Sequence, residues 1–229
     1  MKFKAPTGKA LFDLRLLQLK REPLVYLLAL AGLFLALFST RLAPLPPLEG
    51  GRVWAEFLLA GLQASLFLYA LTLVLQPEGF LLGRLPPLPA AQAEGEFAWT
   101  LAECLGMAWI LLPGSVLGWL LLPSGLKWAL LSPFLVLFFQ GFFLVSLAGF
   151  GRPSLGRGGG TVLLVGAWIL VSLPPLSWAD ARNFSPGPLG SPGESLAGAL
   201  LVWAGLGGLF LVLRPGRRVG AGVGGRGES

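Results

Sequence analysis

Four polar side chains stand inside long apolar runs of this chain and are its first candidates for chemistry: Glu56, Gln63, Glu103 and Gln140. A carboxyl group at membrane depth costs about 2.5–3.5 kcal/mol at a helix centre, so it marks an ion or proton route unless a partner or the nearby surface relieves it. A mid-run amide either lines such a route or hydrogen-bonds between helices. Glu56 lies close to the end of its run and can reach an interface. Glu103 lies about one and a half helical turns into its run. No second ionisable residue stands beside it within the apolar runs, which gives a proton relay little support. Glu103 therefore reads as a helix-end acid that reaches the nearer surface, and its exchange for glutamine is expected to be nearly silent. Gln63 and Gln140 read as possible pathway residues, with interhelical bonding the plainer role.

Other chemistry is excluded by what the chain lacks. There is no histidine, which removes imidazole bases, imidazole haem ligands and most zinc sites. It also argues against a Ser/His protease, although Ser115 follows Gly114. The single cysteine, Cys104, sits in an apolar run and cannot close a disulfide within the chain. A phosphate-cradling loop needs G-x-x-x-x-G-K-[ST]. Thr7-Gly8-Lys9-Ala10 lacks the first glycine and the hydroxyl, and Gly156 and Gly158 to Gly160 have no lysine beside them. If ATP drives this protein, another chain binds it. No catalytic set, metal or cofactor is expected.

The elements that carry these residues follow from composition. Hydrophobic residues make up 55% of the 229, and charged residues 12%, against roughly 25% in soluble domains. The apolar residues gather in blocks of the length a membrane helix needs, about 20 residues. Six spans are expected, at about 24–40, 53–76, 98–122, 126–150, 161–173 and 195–213, with Pro113 and Pro133 inside the third and fourth. The fold class is all-α: a polytopic membrane protein preceded by an amphipathic interfacial helix. In that helix Leu11, Phe12, Leu16 and Leu19 alternate with Asp13, Arg15, Gln18, Lys20 and Arg21. Pro23 marks an elbow, since proline is welcome at the first position of a new helix. The basic N-terminal stretch has no small-residue cleavage site, so the first span is expected to be retained. Residues 1–22 form the N-terminal segment, 23–213 one membrane domain, and 214–229 a Gly- and Arg-rich tail expected to be disordered.

Orientation follows from the basic residues. With the N-terminus inside, the inner segments hold Lys2, Lys4, Lys9, Arg15, Lys20, Arg21, Arg84, Arg152, Arg157, Arg214, Arg217, Arg218 and Arg226. The outer segments hold Arg41, Arg52, Lys127 and Arg182. Both termini are then cytoplasmic, and the long segment 174–194 is exterior. The basic residues serve topology and do not form a nucleic-acid patch. Gly114 and Gly118 form a small-xxx-small pattern that permits close helix approach.

The order of parts resembles the membrane subunit of ABC-2-type exporters: a basic amphipathic helix, an elbow proline, six spans and both ends inside. The most specific stretch is GRLPPLPAAQAEGEFAWTLAECLG, residues 83–106, which resembles that family's leucine-proline element and the short cytoplasmic helix leading into the third span. The resemblance implies that Leu88, Pro89, Ala90, Ala91, Gln92, Glu94, Glu96 and Phe97 dock a separate ATP-binding subunit. It also implies a permease in the cell membrane that works as a homo- or heterodimer in contact with membrane lipid. Two other readings stay open: a non-transport membrane scaffold, and a proton-coupled carrier or membrane enzyme that uses Glu103.

Overall fold

The computed structural model describes residues 8–39, 47–75, 92–121, 131–172 and 193–213. Among these residues every regular element is an α-helix: α1 (Gly8–Leu19), α2 (Pro23–Ser39), α3 (Pro47–Leu75), α4 (Gln92–Leu121), α5 (Leu131–Ser172) and α6 (Gly193–Leu213). Four helical segments are long and apolar enough to cross a membrane, Ala55–Leu75, Ala98–Leu121, Leu131–Val171 and Leu196–Leu213. The bent pair Phe12–Leu19 and Pro23–Phe38 raises the number to five. In a bilayer the backbone must satisfy its own hydrogen bonds, and helices do this within one segment.

Local chemistry explains the breaks. Pro23 is the first residue of α2, where its missing N–H costs nothing, and α1 and α2 meet at 60°. The amides of Lys20, Arg21 and Glu22 donate to the carbonyls of Leu16, Gln18 and Leu19, and the Tyr26 hydroxyl donates to the Lys20 carbonyl at 2.9 Å. The end of α1 is thereby capped without a glycine. Pro133 falls in the first turn of α5, not in mid-span, so it breaks no hydrogen bond. Pro113 does lie inside α4.

Helix α5 is one element in name and two arms in shape. Gly156 has φ 70° and ψ −175°, a conformation open almost only to glycine. An added Cβ on Gly151 would stand 3.2 Å from the Gly160 Cα. Nine residues of straight helix would separate those positions by about 13 Å, so the chain doubles back. The second arm returns along α3: Val74 lies against Gly160, and the Phe67 and Trp168 rings sit 4.7 Å apart. Arg152 donates to the Leu73 carbonyl at 3.2 Å, placing a cation on the last turn of α3.

The bundle is layered by neighbour. Helix α4 packs on α1 and α2, α3 lies between α2 and α5, and α6 packs on α5. Gly114 does mark a close crossing: a Cβ there would come within 3.1 Å of Gly32. The core is built from α3, α4 and α5, with Leu58, Leu62, Leu66, Met107, Ile110 and Leu137 fully enclosed.

Three sequence expectations change here. Residues 47–52 belong to α3 and are not loop. Residues 92–97 are not part of a separate short helix; they are the opening turns of α4. The helix over 9–22 does not present all its charges outward, because Arg15 is buried. The rest of the docking stretch (Leu88 to Ala91), the exterior segment through Pro192 and the tail after Leu213 lie outside the described residues.

Candidate functional site

The polar centre of the molecule forms where α1 meets α3 and α4. Arg15, from α1, is 3% exposed, and its Nε donates to Glu103 Oε1 at 2.5 Å. Glu103, from α4, is 4% exposed and accepts from the Tyr69 hydroxyl of α3 through Oε2, also at 2.5 Å. Both carboxylate oxygens are thus engaged from different helices. The Arg15 Nη1 donates to Gln18 Oε1 at 3.1 Å and to Glu22 Oε1 at 2.8 Å, and the guanidinium stands 5.1 Å from the Trp99 ring centroid. Cation–π attraction of this kind is strongest for partly desolvated groups.

Position in the sequence accounts for the cluster. Arg15, Gln18 and Leu19 fall at i, i+3 and i+4, one stripe of α1, and Glu22 follows in the elbow that ends it. Trp99 and Glu103 are four apart on α4 and share a face toward α1. Gly106 completes the approach. A Cβ there would meet the Tyr69 hydroxyl at 2.7 Å and Leu19 at 3.0 Å, so the glycine leaves room for both side chains against α4. Glu103, with Glu22 beside it, supplies the counter-charge that the buried guanidinium requires.

Glu103 is therefore not a solitary acid that reaches the surface. The expectation that it lacks an ionisable partner is overturned by Arg15, which comes from 88 positions earlier in the chain. Two donors of the cluster are unmatched among the described residues: Arg15 Nη2 and Gln18 Nε2 are buried and have no protein hydrogen-bond partner. Gln63 and Gln140 do meet, across α3 and α5, with Nε2 donating to Oε1 at 3.4 Å. They form a second polar contact deeper in the bundle, as interhelical bonding predicts. Glu56 remains apart from both groups and is half-buried near the start of its apolar segment. Among the described residues no group of His, Cys, Asp and Glu is arranged to hold a metal.

Comparison with protein-family models, curated proteins and solved structures gives no match. Function is then argued from the arrangement of this chain alone. That arrangement places a charged lock between an elbowed N-terminal helix and two apolar helices, close to the start of α4. The sequence signal for Arg15 was present but oblique. A buried acid needs a cation, and Arg15 is the basic residue in α1 that shares a stripe with Leu19.

Proposed function

We propose that the chain is the membrane-spanning permease subunit of an ATP-driven exporter of the ABC-2 type, in the cell membrane, with both termini cytoplasmic. The observation that carries this reading is the packing of the elbowed helix α1 on the first turns of the apolar part of α4. Arg15 covers Trp99, two residues beyond Phe97, so α1 packs beside the described part of the proposed docking stretch, Gln92 to Phe97. Motion imposed on that end by an ATPase would pass into α3 and α4 through Glu103 and Tyr69. Among the described residues four or five segments are long and apolar enough to cross; six crossings follow if each arm of α5 crosses and α2 crosses as well. In this orientation the α5 turn, with Arg152 and Arg157, is cytoplasmic, as the distribution of basic residues requires. The pathway forms between two such subunits, in contact with lipid. The carrier reading built on Glu103 is weaker, because both oxygens of that carboxylate are already taken.

The test is partner capture. A single thiol introduced by Ala91→Cys in a Cys104→Ala background is crosslinked in native membranes. The expected product is a covalent complex with a soluble ATP-binding subunit. A purified complex that contains no nucleotide-binding chain supports the scaffold reading instead.

A further inference from the structure

Helix α1 is attached to the bundle in an unusual way. Its covalent link to α2 is a three-residue elbow, Lys20 to Glu22, across which the axis turns by 60°. Its principal neighbour is α4. Its most enclosed side chains are one apolar residue, Leu19, and one charged residue, Arg15. Arg15 pairs with both Glu103 and Glu22, and the first of these pairs crosses between helices. Helix α1 is held by this directional polar contact together with the packing of Leu19 on Gly106, and it is hinged at one end, so loss of the polar contact frees it to move as a unit.

The unmatched donors add a second argument. Arg15 Nη2 and Gln18 Nε2 both belong to α1, and among the described residues both are buried without a protein hydrogen-bond partner. A buried donor left unsatisfied favours any conformation that returns it to water. The closed state is thus opposed by the very residues that form its lock, and the Glu103 and Tyr69 contacts must offset that cost.

We infer that the Arg15–Glu103–Tyr69 cluster is a releasable latch: α1 swings away from α3 and α4 about the Lys20–Glu22 elbow, exposing the stripe of Arg15, Gln18 and Leu19. In the closed state Tyr69 and Arg15 share the Glu103 carboxylate. In the open state Arg15 and the freed donors take water, while Glu22, whose carbonyl accepts from the Val25 amide, stays in the elbow at the start of α2. Glu103 keeps Tyr69. Glu103 then loses its counter-charge, so release requires water to reach the carboxylate as α1 departs. This inference does not rest on the exporter reading and holds for any partner that pulls on α1.

The experiment measures the accessibility of the inner face of α1 in the purified full-length protein. A thiol is introduced by Leu19→Cys, and separately by Leu59→Cys in the core of α3, both in a Cys104→Ala background. Labelling by a polar maleimide is followed in detergent micelles. Leu19→Cys is expected to label faster than Leu59→Cys even with the latch intact. Adding Arg15→Met should speed labelling at Leu19→Cys by about tenfold or more, as expected when a buried charge loses its partner, with little change at Leu59→Cys. Tyr69→Phe removes one hydroxyl and should give a smaller rise at the same position. Equal acceleration at both thiols would mean general loosening and would overturn the latch. So would equal labelling rates in the unaltered background, or no response to Arg15→Met.

Discussion

The two ends of this bundle are held by different chemistry. Where α1, α3 and α4 meet, a charge pair, a tyrosine hydroxyl and a glycine gap fix the contact. Where α5 meets α6, aromatic rings do the work: Phe143 lies 5.4 Å from Trp203 and 6.0 Å from Phe210, and Phe150 lies 5.3 Å from Phe210. Gly207 admits the Phe142 ring there. In hydrocarbon, apolar burial between helices gains little over lipid, so association rests on packing shape and polar bonds. The aromatic seam is close-fitting and indifferent to charge. The polar seam is directional, and it fails when one group changes its charge.

The largest expected loss follows from breaking the polar seam on one side. Arg15→Met leaves Glu103 buried with Tyr69 as its remaining partner, and Glu103→Gln leaves Arg15 with only the partly exposed Glu22. Removing one member of a buried pair costs about 3–5 kcal/mol. A clear fall in Tm in detergent, followed by tryptophan fluorescence, is the expected outcome. A near-silent Glu103→Gln would return that residue to the status of an isolated helix-end acid.

The reversal in α5 comes next. Gly156→Ala meets no neighbour within 4 Å, so space is not the obstacle. The backbone conformation is, and strain of this kind costs about 1–3 kcal/mol. The same change at Gly158, where φ is not positive and the space is also open, should cost less. Thermal unfolding of the two variants side by side checks this.

At the aromatic seam, Phe210→Leu keeps an apolar side chain and removes the ring contacts with Phe143 and Phe150. Aromatic pairs add about 0.5–1.5 kcal/mol beyond area, so a modest drop in Tm is expected, without change in thiol accessibility along α1. The smallest effect belongs to Gln63→Leu, since hydrogen bonds between membrane helices average about 0.6 kcal/mol. A loss as large as that of Arg15→Met would mean that the Gln63–Gln140 contact has a role beyond joining α3 to α5.

Much of the fold was legible in the sequence because hydrocarbon imposes a simple rule of length and apolarity. The limits of α2 and α6 follow from it, and the elbow at Pro23 follows from proline's place at a helix start. The reversal at Gly156 was legible only as a break, because a run of glycines names no dihedral angle. The beginning of α4 was misplaced, since nothing in Gln92 to Phe97 separates a docking helix from the helix that follows. The lock was missed for a physical reason. Assigning every charge of a short amphipathic helix to water is sound for an isolated helix, and it hides an arginine whose counter-charge comes from another helix. Gln18 on the same stripe, and Glu22 in the elbow after it, were the signal.

The claim that α1 is tied to the bundle by charge is tested most directly by a double-mutant cycle. Arg15→Met, Glu103→Leu and the combined variant are unfolded thermally under one detergent condition. The account predicts that each single change is strongly destabilising and that the combination recovers most of the loss, because no unpaired charge then remains buried. Additive losses, with the double variant the least stable of the three, would contradict it.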